Sequence, residues 1–324
     1  MVFVMKSSLI NAAECKEEKI LDYILTTKAL VKSYGRFKAL DGLSMHVPKG
    51  AIYGFVGKNG AGKTTLLRVI CGLQEAVSGE YTLYGVNGRD KEIIAARKRI
   101  GAVIETPAIY LNMSAADNLK EQSCMLGRDS SGDIQRLLKL VGLEKPERKK
   151  ARNFSLGMRQ RLGIAVALVR NPDFLVLDEP INGLDPQGII EMRELLIRLN
   201  REYGITILIS SHILDELSRL ATHYGFIDKG KMLKEISAED LENTCRKCIC
   251  MEVSDTDARA RVLDDMKVKY KVLSPSRADV YEKVNISRLV TSLLRLGCEV
   301  ISMEEHDENL ESYFVDLVGG ADHE

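Results

Sequence analysis

Several features are missing from this chain, and each absence removes a class of readings. No stretch reaches the roughly 18 consecutive apolar residues that a membrane-spanning helix requires, so a soluble polypeptide is expected. The first residues, MVFVMKSSLINAAECKEEK, turn polar after a few positions and carry both signs of charge, so they lack the apolar run of a secretory signal. There is no net charge, because Lys+Arg and Asp+Glu both number 46. A balanced chain gives no electrostatic case for nucleic acid as the main partner. The seven cysteines show no disulfide-framework spacing, which points to reduced thiols in a cytoplasmic protein. Their one tight group, Cys245-Arg-Lys-Cys248-Ile-Cys250, has no fourth zinc ligand nearby in sequence. Cys248 and Cys250 fall on one face of an expected strand, as core packing would place them. Internal repeats and low-complexity tracts are also absent.

What remains is an ordinary globular composition, 45% apolar and 28% charged over 324 residues, enough for one large domain and a smaller one. Residues 1–21 are weakly patterned and read as a loose extension or an upstream start, with the first domain beginning near Asp22. Strands are expected in YILTTKALVKSY and at 51–56, 100–105, 174–177, 205–210 and 224–227. A helix over 64–71 is closed by Gly72. Asp185-Pro186 opens another with a cap and a first-turn proline, and Ile189, Met192, Leu196 and Leu199 mark its apolar face. Ser114-Ala-Ala-Asp117 has the form of a capping box, and 133–141 is amphipathic, so about 107–151 reads as a helical insert in an α/β core. From 238 to 324 the order becomes strand, helix, strand, strand, helix, strand, with a last helix over 308–318, which suggests a small split-βαβ domain.

The segment Gly57-Lys-Asn59-Gly60-Ala61-Gly62-Lys63-Thr64-Thr65 fits a phosphate-binding loop, with an apolar strand before it and a helix after it. Glycines let the backbone N–H groups wrap close around phosphates, and the helix N-terminus adds a favourable dipole. Lys63 is then placed to reach the β- and γ-phosphates of ATP, and Thr64 to bind Mg2+. A second motif, Phe174-Leu-Val-Leu177-Asp178-Glu179-Pro180, ends an apolar strand in adjacent carboxylates. Ligands of open α/β sheets sit beyond such strand ends. Asp178 is placed to hold the metal and Glu179 to orient or deprotonate an attacking water.

Between these motifs lies Phe154-Ser155-Leu156-Gly157-Met158-Arg159-Gln160, which resembles the signature segment of ABC ATPases. The other elements of that family follow in order: Asn182-Gly183-Leu184-Asp185 resembles the D-loop, His212 in ISSHILDEL the switch histidine, and Tyr34 the aromatic that stacks on adenine. The resemblance covers about 23–236. It implies a P-loop NTPase fold of the ABC type, with a mixed-sheet core, a helical subdomain and an appended α/β domain. It also implies a second ATPase subunit, identical or not, so that ATP is clamped between the P-loop of one and Ser155, Leu156, Gly157, Met158 and Asp185 of the other. A separate transmembrane permease is implied too, which would hold the chain at the inner face of the cell membrane.

The chain departs from the family pattern at Leu156, Met158 and Asn182-Gly183, and most clearly at Glu105, where the Q-loop residue is usually Gln. A carboxylate there can also coordinate Mg2+, but it brings negative charge toward the γ-phosphate. This combination resembles the ATPase subunits of bacitracin- and lantibiotic-type peptide exporters. The alternatives are the ATPase of a nutrient importer or a non-transport ABC ATPase. The second would need coiled-coil arms or a duplicated motor, and neither is seen. Because every motor motif lies upstream of Ser237, removal of the region after it is expected to leave nucleotide binding intact.

Overall fold

The computed structural model describes residues 22–127, 131–145, 148–244, 248–281, 284–306, 313–315 and 317–318. Its centre is a six-stranded sheet in the order Lys231–Ser237, His223–Asp228, Ile52–Val56, Thr206–Ser211, Phe174–Asp178, Ile100–Val103. Only the first pair is antiparallel. The strands Ile52–Val56, Phe174–Asp178 and Thr206–Ser211 are buried at every position. That is how short unbroken apolar runs behave when both faces of a parallel sheet are covered. Alternate residues serve opposite faces: Phe55, Val176 and Leu208 join one apolar cluster, while Ile52, Leu175, Leu177 and Ile209 join the other.

The first cluster is closed by the helix Lys63–Ile70 and by an antiparallel sheet in the order Phe37–Pro48, Tyr23–Tyr34, Ser78–Leu83, Val86–Asn87. The second is closed by Ala115–Met125, Ser131–Leu140, Leu156–Leu168 and Pro186–Tyr203. The expected capping box is present: Asp117 N–H donates to Ser114 Oγ at 3.1 Å, and the Asp117 carboxylate accepts from Ser114 N–H at 3.3 Å. The helical region does not stop near residue 151. The helix Leu156–Leu168 packs with Ala115–Met125 and Ser131–Leu140 in the same cluster, so the signature segment starts a helix of this bundle. Among the described residues no helix is long and apolar enough to cross a membrane.

The C-terminal region follows the expected element order: Cys248–Val253, Thr256–Asp265, Tyr270–Val272, Arg277–Val280, Ile286–Arg295, Val300–His306. Its strands form an antiparallel sheet in the order Tyr270–Val272, Arg277–Val280, Cys248–Val253, Val300–His306, with its own core around Met251, Leu263, Val280, Leu289 and Leu293. The cysteine reading needs correction. The buried face of Cys248–Val253 is Ile249, Met251 and Val253, and Cys250 lies half-buried on the opposite face. The three larger apolar residues outcompete Cys250 for the core. Cys245 lies outside the described residues.

The motor also reaches further along the chain than the change of pattern at Ser237 suggests. Leu241, Tyr313, Phe314 and Val318 belong to the cluster under the central sheet. The rings of Tyr313 and Phe314 lie 5.7 and 5.9 Å from that of Phe226, on strand His223–Asp228. Of the helix expected over 308–318, residues 313–315 and 317–318 are helical and the others lie outside the described residues. A chain cut after Ser237 would expose Phe226 and lose part of the motor core. Such a cut would therefore cost the motor stability, whatever its effect on nucleotide binding.

Candidate nucleotide site

The loop after strand Ile52–Val56 is shaped by close backbone contacts. A Cβ on Gly57 would lie 2.5 Å from Ile227 O, and one on Gly62 would lie 2.4 Å from Ala39 O at a φ of +111°. Only glycine fits either position, and Gly62 leads directly into the helix Lys63–Ile70. Ala61 fixes the loop from both sides: its N–H donates to Lys58 O at 3.1 Å, and its carbonyl accepts from Gly230 N–H at 2.9 Å.

Lys63 is only 5% exposed. Its ammonium donates to Gly57 O at 2.6 Å and Lys58 O at 3.2 Å, and lies 3.2 Å from Glu179 Oε1. These partners hold the cation inside the loop, pointed at the space a phosphate chain would fill. Thr64 Oγ1 donates to Asp178 Oδ2 at 2.8 Å, and Ser210 Oγ donates to Asp178 Oδ1 at 2.6 Å. A hydroxyl and a carboxylate thus meet at the helix N-terminus. No group of three or more His, Cys, Asp or Glu side chains suited to a metal occurs among the described residues. Two hard oxygen donors fit Mg2+ nevertheless, since this ion takes the rest of its octahedron from phosphates and water.

Glu179 follows at a left-handed φ of +48°. Its N–H donates to Ser210 Oγ at 3.0 Å and Ser210 O at 3.2 Å, which holds the residue in that turn. The turn aims its carboxylate at two neighbours, Lys63 through Oε1 and His212 Nδ1 at 2.8 Å through Oε2. The expected base and the expected switch histidine are therefore hydrogen-bonded to each other.

A pocket of about 260 Å³ lies over the loop, lined by Asn59, Gly60, Gly62, Lys63, Thr64, Thr65 and Glu179 with Tyr34, Phe37 and Ala39. Tyr34 is 43% and Phe37 61% exposed, and they face each other across the hairpin turn Gly35-Arg36. The sequence reading named Tyr34 and missed Phe37. The two-residue turn was the available signal, because it sets these positions opposite one another. Larger aromatic exposure in such a pocket suits a planar base. Glu105 does not line the pocket: it has a left-handed φ of +61° and pairs with Arg68 of the loop helix.

The signature and D-loop residues form a second group. Ser155 caps the helix Leu156–Leu168 by accepting from Met158 N–H at 3.2 Å, and Asp185 caps Pro186–Tyr203 by accepting from Gly188 N–H at 3.1 Å. A Cβ on Gly157 would come within 3.7 Å of Leu184 Cδ2, so the two helix starts adjoin. None of these residues lines the pocket, and Leu156 is 40% exposed.

A glycine-built loop on a helix N-terminus, a buried lysine, and a hydroxyl, a metal-type carboxylate and a histidine-paired glutamate gathered at strand ends define a P-loop nucleoside triphosphatase. Comparison with known proteins narrows the class. The family model described as ABC transporter matches residues 40–182. The bacitracin transport ATP-binding protein BcrA of Bacillus licheniformis is 41% identical over 303 residues, covering 92% of this chain and 98% of that protein. The lantibiotic transport ATP-binding protein SrtF of Streptococcus pyogenes is 43% identical over 220 residues, covering 68% and 93%. Among solved structures, an ABC transporter cassette in its ADP conformation superposes with a TM-score of 0.60 at 28% identity over 68% of this chain and 94% of its own. The cbiO1 subunit from Clostridium perfringens gives 0.62 at 26% identity over 76% and 96%. The chain belongs to the ATP-binding subunits of ABC transporters, and it is an ATPase.

Proposed function

We propose that this chain hydrolyses Mg2+-bound ATP as one of a pair of such subunits, at the inner face of the cell membrane, to drive a separate permease that exports antimicrobial peptides of the bacitracin or lantibiotic type. The observation that carries the substrate class is the alignment with a bacitracin transport subunit over 92% of the chain, a span that takes in the accessory domain as well as the motor.

In this reading Lys63 leaves its carbonyl partners for the β- and γ-phosphates, and Tyr34 and Phe37 hold the base. Thr64 and Asp178 would hold Mg2+, which neutralises charge on the transferring phosphoryl group. Glu179 orients the attacking water and takes its proton, with His212 fixing its carboxylate. Ser155, Leu156, Gly157, Met158 and Asp185 face the ATP of the second subunit, which explains why they stand apart from this chain's own pocket. Loss of the γ-phosphate removes the charge that bridges the two subunits, and that is the stroke delivered to the permease.

The test is deletion of the gene followed by growth against a panel of bacitracin-like and lantibiotic peptides. Heightened sensitivity to at least one, restored by the parent gene and not by a Lys63→Ala copy, is the expected result. Unchanged sensitivity together with a growth defect on one scarce nutrient would make the chain an importer subunit instead.

A further inference from the structure

The helices Leu156–Leu168 and Pro186–Tyr203, which begin at the signature and the D-loop, are joined a second time away from their starts. Arg161 lies on the first and Glu191 on the second. Arg161 Nη2 is 3.0 Å from Glu191 Oε2, and Nη1 donates to Val141 O at 3.1 Å, just past the end of helix Ser131–Leu140. The other carboxylate oxygen, Glu191 Oε1, accepts from Gln187 Nε2 at 3.1 Å, in the first turn of the D-loop helix. One guanidinium thus ties three elements together. Gly142 leaves room for it: a Cβ there, at a φ of +66°, would lie 2.8 Å from Arg161 Nη1. A cavity of about 260 Å³ opens between the end of Ser131–Leu140 and Pro186–Tyr203, with Arg161 and Glu191 on its wall. Polar contacts span that gap.

The placement is matched on the two helices. Arg161 stands six residues past the cap Ser155, and Glu191 six past the cap Asp185, which is about 9 Å along each axis. Near the caps, a Cβ on Gly157 would lie 3.7 Å from Leu184 Cδ2 and 3.9 Å from Gly188 Cα. Contacts at two depths oppose both sliding and splaying of the helices. Such a tie is needed, because two helix N-termini side by side carry partial charges of the same sign. Arginine suits the position, since its planar fork serves a carboxylate and a carbonyl at once. The Arg161 side chain is 15% and that of Glu191 37% exposed, and a pair this open to water adds little to stability. Its effect is positional. We infer that Arg161, through Glu191, is a positioning residue that holds the signature start, Ser155 to Gly157, and the D-loop Asp185 in the mutual arrangement that receives the ATP of the second subunit. The inference rests on the paired-subunit reading given above, and locates the control of that pairing away from the nucleotide pocket.

The test uses the full-length chain carrying Glu179→Gln, in which ATP with Mg2+ should hold two subunits together. Arg161→Met, Glu191→Ala and the double variant are made in that background. Sedimentation gives the dissociation constant of the ATP-bound dimer. ATP binding is measured on chain too dilute to pair, and melting temperature without nucleotide. Each single variant should weaken the dimer about fivefold or more, the lower end for coupling between sites. The double variant should weaken it no further, because both changes break the same tie. ATP affinity of the unpaired chain should stay within a factor of about two, the ordinary scatter of independent sites. Glu191→Ala, at the more exposed position, decides alone if Arg161→Met does not fold. A dimer of unchanged strength in the variants would overturn the inference and leave the paired-subunit reading standing. Additive losses would show that the residues act separately, and ATP affinity or melting temperature falling in step with the dimer would make the pair a support of the fold. Either result overturns the positioning role. Absence of any ATP-dependent dimer in the Glu179→Gln parent would instead remove the paired-subunit reading, and this inference with it.

Discussion

Replacing Glu179 by glutamine is the sharpest probe of the nucleotide site. The change is isosteric, so the turn held by Ser210 through Glu179 N–H at 3.0 Å should survive. Two contacts change character. Oε1, 3.2 Å from the Lys63 ammonium, and Oε2, 2.8 Å from His212 Nδ1, lose their formal charge, and one becomes an amide nitrogen that cannot accept a proton. Loss of a general base typically removes a factor of about 10²–10⁴ in rate, or roughly 3–5 kcal/mol of barrier. Nucleotide affinity should not fall with it, because neutralising Glu179 releases Lys63 toward the phosphates. Steady-state phosphate release gives the rate, and equilibrium binding of ATP with excess Mg2+ gives the affinity. If the paired-subunit reading holds, the variant should also elute as a closed dimer with ATP, since the bridging γ-phosphate persists. Phosphate release within a factor of about two of the parent, far from the loss a missing base produces, would refute the assignment of Glu179. A loss of ATP binding equal to the loss of rate would show that the carboxylate serves the fold and not the water.

Three further outcomes follow from the packing and the charges. Phe314→Ala should cost about 3 kcal/mol, the lower end for a buried Phe truncation, since Phe314 stacks on Phe226 in the motor core. Urea melting of the full chain reads this out, and a loss under about 1 kcal/mol, well below that range, would detach the C-terminal segment from the motor. Burial holds the His223 imidazole below its ordinary value of 6.5, against the pull of Asp240 and Glu235. Its stabilising contribution is therefore full above 6.5 and is lost as pH falls from there through the depressed folded value. Melting temperature should decline over that window, and His223→Gln should flatten the decline. Glu105→Ala leaves Arg68 without its partner and should lower peptide resistance in cells while ATP affinity changes little. An ATP affinity that falls in step with resistance would place Glu105 on the nucleotide after all.

The motor was readable because its chemistry dictates its spelling. Phosphates approached by backbone amides demand glycine at Gly57 and Gly62, and the contacts at Ile227 O and Ala39 O repeat that demand in space. Acids that serve a ligand must end a strand, and Asp178 and Glu179 do. The order of elements in the accessory domain was readable from alternating and helical apolar spacing. What escaped depends on partners far along the chain. Tyr313 and Phe314 look like neighbours on a terminal helix, and nothing local says that Phe226 receives them. In Thr256–Asp265, Arg259 and Arg261 spell alike, yet the first is fully enclosed and the second exposed, because the sheet lies under only one of them. The cysteines of Cys248–Val253 share a face, but the choice of buried face went to Ile249, Met251 and Val253.

Glu105 shows how a departure from a family pattern becomes intelligible only in three dimensions. Read along the chain, a carboxylate in place of glutamine adds negative charge on the side of the γ-phosphate. In the fold its partner is Arg68, in the last turn of the helix that begins at Lys63. The added negative charge therefore comes with a positive one from the same chain, and the pair ties the far end of the phosphate-binding helix to the segment leading into the helical region. Both side chains are partly exposed, so the pair contributes little to stability. Its consequence is geometric. Glu105 adopts a left-handed backbone that no glycine relieves, and a glutamine there would keep a hydrogen bond to Arg68 but not the charge that selects it. In this chain Glu105 and Arg68 are partners, and a test that alters one has to consider the other.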